Sequence, residues 1–114
     1  MVMNKKVYLS NAFSISMLPS NDKEHLIKIE EVSIEEVKAL LNDGFISAVG
    51  HEPTAQLLSE MLGIEVVPNR IQVKLEKGDI LVIYQLLQRL PEGRIMSKEE
   101  LKAVPHKWYR LTLI

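Results

Sequence analysis

The chain has 114 residues, 46% of them hydrophobic and 25% charged, with five glycines, five prolines and no cysteine. That composition belongs to a globular chain the length of one domain, and it excludes a disulfide framework, a thiolate metal site and a thiol nucleophile. A formal net charge of −1 supplies no basic field for long DNA or RNA. No apolar run reaches membrane-spanning length, and the opening MVMNKK has no apolar region behind it to act as a secretion signal. The expectation is a single cytoplasmic domain over residues 1–114, with no membrane partner.

In chain order, residues 5–9 open a strand, and Ser10, Asn11 and Ser14 mark a turn inside an otherwise apolar stretch. A polar loop over 19–23 leads to a strand over 25–32, with Ile27 and Ile29 on its inner face. Val32 breaks that alternation, which places the strand's end before it. Ser33 and Glu36 fit a capping box, and Ile34, Val37, Leu40 and Leu41 form one stripe of a helix over 34–42, stopped near Gly44. Residues 45–49 are short and mostly apolar, as a buried strand would be. Gly50 and His51 form a junction, and Pro53 suits the first position of a helix over 53–62 that Gly63 ends. Ile71, Val73 and Leu75 alternate with polar residues, which predicts a half-exposed strand over 70–76. The apolar run over 80–87 predicts a strand buried on both faces. SKEELKAV suits a short third helix, and 108–113 a sixth strand. The expected fold class is α+β: a mixed sheet of about five strands flanked by helices.

Chemistry concentrates in a few places. A helix start leaves N–H groups unpaired and carries positive potential, so it can hold a phosphate without a basic patch. Thr54 and Ala55 are expected to offer backbone donors there, and His51 beside them can give a proton to a leaving oxygen. A turn histidine bonded locally is the plainer use of the same residue. In QRLPEGR, Gln88, Arg89 and Glu92 crowd one turn; Arg89 offers a fork of donors suited to phosphate, and Glu92 can orient an imidazole or a hydroxyl. The plainer use is a solvated loop. Asn11, Ser14 and Ser16 suit either ribose and base edges or their own backbone turn. His25, His51 and His106 are far apart in sequence, and no HExxH, GxSxG, GxxxxGK[ST] or GxGxxG motif occurs. No metal or other cofactor is expected.

Three stretches carry a resemblance: KVYLSNAFSISML, FISAVGHEPTAQLLSEMLG and NRIQVKLEKGDILVIYQLLQRLPEG. In order and spacing they resemble the small viral anti-CRISPR ring nuclease family, found also on bacterial mobile elements. The match weakens over 19–31 and after Glu92. The resemblance implies a homodimer that binds cyclic tetra-adenylate, the messenger of type III CRISPR defence. It implies cleavage without metal: a ribose 2′-hydroxyl attacks the neighbouring phosphate and leaves linear di-adenylate with a 2′,3′-cyclic phosphate. By position, the family's GH-x-x-T motif falls on Gly50, His51 and Thr54, its Arg and Glu on Arg89 and Glu92, and its first-loop Asn and Ser on Asn11 and Ser14. Ser16 departs, standing where viral members carry Asn. The implied roles are catalysis for His51, Glu92 and Arg89, and ligand binding for Asn11, Ser14, Ser16, Gly50, Thr54, Ala55 and Gln88. The alternative is a non-catalytic protein that binds or regulates the messenger. A DNA-binding regulator is disfavoured, because neither IEEVKALL nor PTAQLLSEMLG is a basic helix.

Overall fold

A computed structural model describes residues 5–87, 99–100 and 104–114. The strands are β1 (Val7–Ser10), β2 (Ile27–Val32), β3 (Ile46–Ser47), β4 (Ile80–Leu86) and β5 (His106–Leu113). The helices that lie wholly among the described residues are α1 (Ile34–Leu41) and α2 (Glu52–Leu62), with a 3₁₀ turn at Ile15–Met17. All five strands form one mixed sheet in the order β2-β5-β4-β1-β3. β3, β1 and β4 run parallel, while β5 is antiparallel to both β4 and β2. The fold is α+β, with helices against a five-stranded mixed sheet.

The centre of the sheet is its most apolar sequence. In β4, Leu81, Val82, Ile83 and Tyr84 are all buried, because successive side chains point to opposite faces and both faces are covered. On one face, Leu9, Val82, Tyr84 and Trp108 pack against Val37 and Leu41 of α1 and Leu57, Leu58 and Leu62 of α2. On the other, Tyr8, Leu81, Ile83, Leu111 and Leu113 pack against Val73 and Leu75.

α1 starts as its sequence requires. The Ser33 side chain accepts the Glu36 N–H at 3.2 Å, and the Glu36 carboxylate accepts the Ser33 N–H at 3.2 Å. α2 ends on Gly63 at φ +70°, a backbone shape that residues with a Cβ avoid. Its first residue is Glu52, so Pro53 takes the second helical position and not the first. That position is equally tolerant, since its N–H would also lack an intrahelical acceptor.

Two strand expectations are corrected. Residues 70–76 form no strand. Their alternation survives as burial, with Val73 and Leu75 almost fully enclosed. The segment lies over a face of the sheet, so its backbone has no strand alongside to pair with. A backbone bond, the Leu75 N–H to the Met17 carbonyl at 2.8 Å, ties it to the 3₁₀ turn. The strand at 108–113 is instead present and longer, which restores the total of five. β2 includes Val32, which pairs with Trp108 and is buried under the helices, whereas Ile29 is 53% exposed. As an edge strand, β2 passes under the helices only at its far end. The third expected helix lies mostly outside the described residues, although Glu99 and Glu100 are helical.

Candidate functional site

The three parallel strands β3, β1 and β4 bring their carboxyl ends to one edge of the sheet. The crevice beyond such an edge is where open sheets with parallel strands hold ligands. From it the chain leaves β1 into Asn11, leaves β3 into Ala48 to His51, and leaves β4 toward Gln88. Gln88, Arg89 and Glu92 lie outside the described residues.

His51 is the N-cap of α2, with extended backbone at φ −123° and ψ 133°. An N-cap side chain ordinarily accepts an N–H from the first turn; this imidazole makes no such bond and is exposed. The His51 carbonyl accepts the Ala55 N–H at 3.0 Å. Ala55 is buried and its N–H is taken up inside the helix, so the donor expected there is not open. Pro53 has none. Helix geometry leaves the N–H groups of Glu52 and Thr54 without intrahelical acceptors. These, with the helix dipole, form the positive end of α2. The Glu52 side chain is negative at the same end and accepts a bond from the Gln56 amide at 3.3 Å.

A strap over 67–70 binds the exit of β3. The Ser47 hydroxyl donates to the Val67 carbonyl at 2.7 Å, and the Asn69 amide donates to the Ser47 carbonyl at 2.7 Å. The Asn69 N–H reaches the Val49 carbonyl at 2.7 Å. Arg70 then folds over the turn, its Nε donating to the Gly50 carbonyl at 3.0 Å. The fit is close: a Cβ on Gly50 would stand 3.2 Å from Arg70 Cγ. A guanidinium therefore sits one residue from His51. Sequence reasoning missed Arg70. The available signal was the alternation of 70–76, which turns Arg70 and Lys74 to the side opposite Val73 and Leu75.

In the first loop, Ser14 caps the 3₁₀ turn. Its hydroxyl accepts the Ser16 N–H at 3.3 Å and lies 3.0 Å from the Ser16 hydroxyl. The structure brings the two serines together in the local-turn use. Both are exposed, and one of their two hydroxyl protons remains to be donated elsewhere. Lys74 Nζ donates to the Ser16 carbonyl at 3.1 Å, so the 70–76 segment touches the first loop as well as the Gly50 turn. Asn11 is half-buried. Among the described residues, no three His, Asp or Glu side chains gather as a metal site requires. No helix among them is long and apolar enough to cross a membrane.

Comparison with known proteins adds the lineage. The family model described as STIV B116-like matches residues 7–108. Uncharacterized protein 26 of Sulfolobus islandicus filamentous virus is 42% identical over 100 residues, covering 86% of this chain and 83% of that protein. YddF of Bacillus subtilis is 33% identical over 88 residues, covering 75% of this chain and 82% of YddF. Among solved structures, B116 of Sulfolobus turreted icosahedral virus superposes with a TM-score of 0.71 at 31% identity, covering 94% of this chain and 98% of that one. The chain therefore belongs to the STIV B116-like family, the viral anti-CRISPR ring nucleases that its sequence resembles.

Proposed function

We propose that the protein is a metal-independent ring nuclease that opens cyclic tetra-adenylate and so antagonises type III CRISPR signalling. The observation that carries this reading is the imidazole of His51, unused as a cap at the positive start of α2, with Arg70 folded onto the adjoining turn. The scissile phosphate sits against the N–H groups of Glu52 and Thr54, which have no intrahelical acceptor, and the guanidinium of Arg70. The ribose 2′-hydroxyl gives up its proton to solvent as its oxygen attacks phosphorus, a new P–O2′ bond forms, and the P–O5′ bond breaks. Protonated His51 gives its proton to the departing 5′-oxygen, which would otherwise leave as an alkoxide. Arg89 adds positive charge to the site, and Glu92 holds the imidazole or the attacking hydroxyl. Two such cuts turn the ring into two di-adenylates, each with a 2′,3′-cyclic phosphate and a 5′-hydroxyl. Asn11, Ser14, Ser16, Gly50 and Gln88 contact the nucleotides.

A two-fold dimer suits a ring of four like units, because it presents the same groups twice. Ile15 supports this assembly: it stands 74% exposed between Ser14 and Ser16, beside the site, where a partner would cover it. The test is incubation of the protein with purified cyclic tetra-adenylate in excess chelator, followed by chromatography. Accumulating di-adenylate supports the reading; a tightly bound but intact ring supports messenger binding without catalysis.

A further inference from the structure

β2 is the outer strand of the sheet at the edge opposite β3. Its pairing with β5 fixes which backbone groups face outward. Ile27 stands opposite Leu113, so Leu26 is level with Ile114, and the Ile114 N–H donates to the Leu26 carbonyl at 2.9 Å. Bonded pairs alternate along an antiparallel ladder, so Leu26, Lys28, Glu30 and Val32 turn their backbone groups to β5. Ile27, Ile29 and Glu31 turn theirs to the outer side, where no other strand lies among the described residues.

The side chains on this edge complement their own reversal. An antiparallel second copy, with its two-fold axis at Ile29, puts Ile29 opposite Ile29 and Ile27 opposite Glu31. These are the residues whose backbone groups face outward, so the ladder can form. Between them, in the closer non-bonded pairs, Lys28 of one copy meets Glu30 of the other, and Leu26 meets Val32. Glu30 is already set for this. One of its oxygens accepts from Arg110 at 2.8 Å, and the other lies 3.9 Å from the Nζ of Lys28 in its own strand. On the opposite face, Ile29 ends an apolar row through Leu111, Leu81 and Tyr8, and it is 53% exposed. Pairing continues that row into the second Ile29. The Glu31 carboxylate beside Ile27 is held by Lys107 at 2.9 Å. Moving the axis to Lys28 or to Glu30 keeps the backbone pattern but sets Lys28 against Lys28, or Glu30 against Glu30. Like charges directly opposite are unfavourable, so charge selects the register centred on Ile29.

We propose that β2 is a self-association surface at which two copies of this chain pair antiparallel about Ile29, joining their sheets into one. The contact is isologous, the same strand serving on both sides. β2 and β3 lie four strand spacings apart, roughly 19 Å. Pairing through β2 therefore keeps the two His51 residues far from each other, and it is a different contact from the two-fold beside Ile15. It stands whether or not the ring site is catalytic. One strand edge is a small interface, so the expected dissociation constant is roughly 0.1–1 mM.

The test is amide hydrogen exchange by NMR on the ligand-free, full-length protein at about 20 μM and about 2 mM, concentrations that bracket that constant. The Ile27, Ile29 and Glu31 amides should exchange at least about twofold more slowly at the higher concentration. Lys28→Glu, which sets like charges opposite, should abolish the slowing, and Lys28→Arg should keep it. The chain has no cysteine, so Ile29→Cys supplies one thiol at the axis and should form a disulfide dimer under mild oxidation. Glu31→Cys should not, because its two copies stand far apart in this register. Fast exchange at both concentrations leaves the edge to a different chain, and slow exchange at both puts a segment of the same chain on it; either result overturns the proposal. So does slowing that survives Lys28→Glu, or a Glu31→Cys dimer that forms as readily as the Ile29→Cys one. Exchange in the parent decides the matter even if a variant fails to fold.

Discussion

His51→Ala should lower the single-turnover cleavage rate by about 10²–10⁴-fold, the range for a general acid or base. Ring binding should change far less, because the Glu52 and Thr54 N–H groups and Arg70 remain. Rapid quench for the rate and calorimetry for the affinity separate the two effects. Arg70→Ala should do the reverse in proportion, weakening binding by roughly tenfold or more through a lost charged contact. Equal affinity in parent and Arg70→Ala would remove Arg70 from the site. These two residues also differ in how they could be read. His51 is punctuated by its neighbours, since Gly50 and Pro53 announce a strand exit and a helix start. Arg70 meets Gly50 across 20 residues of sequence, and no local pattern encodes that contact. Ser14 and Ser16 were legible as turn formers, and the structure joins their hydroxyls at 3.0 Å.

At the scale of elements, α1 was legible to its cap because a capping box is a purely local device. Ser33→Ala should cost about 1 kcal/mol by urea denaturation, the usual loss for an N-cap. The turn between the 70–76 segment and β4 offers a sharper case. Buried Asp79 accepts the Lys6 N–H at 3.0 Å with one oxygen and the Glu76 N–H at 2.9 Å with the other. It joins the start of β1 to the turn before β4. Asp79→Ala leaves both donors without this acceptor and should destabilise the fold by about 1–3 kcal/mol or more. A denaturation midpoint equal to the parent's would contradict that clamp. The 70–76 segment shows the limit of pattern reading: alternation reports which side chains are buried, and it is silent on whether a neighbouring strand exists to complete the ladder. The length of β2 was misjudged for a related reason. Ile27 lies on the face covered by the 70–76 segment and Val32, five residues on, lies on the opposite face under the helices, so an alternation that follows only one face leaves Val32 out.

At the scale of the whole molecule, the α+β class followed from the order of helical and strand patterns, and the burial of β4 on both faces from a continuous apolar run. Strand order did not, because it depends on long-range pairing such as Val7 with Ile80 and Glu30 with Arg110. That order matters to function: it sets the exits of β1, β3 and β4 at one edge, where Asn11 and His51 enter the loops. Assembly is testable at the same scale. Ile15→Asp should shift a dimer toward monomer in light scattering and weaken ring binding, since a charge in place of an apolar contact opposes burial. The central claim is cleavage by an internal ribose hydroxyl, and phosphorus NMR of a single-turnover reaction in excess chelator tests it most directly. The account predicts that the diester signal of cyclic tetra-adenylate gives way to that of a 2′,3′-cyclic phosphate. An unchanged ring after hours with protein in excess, or a linear product ending in a 5′-phosphate, would contradict it.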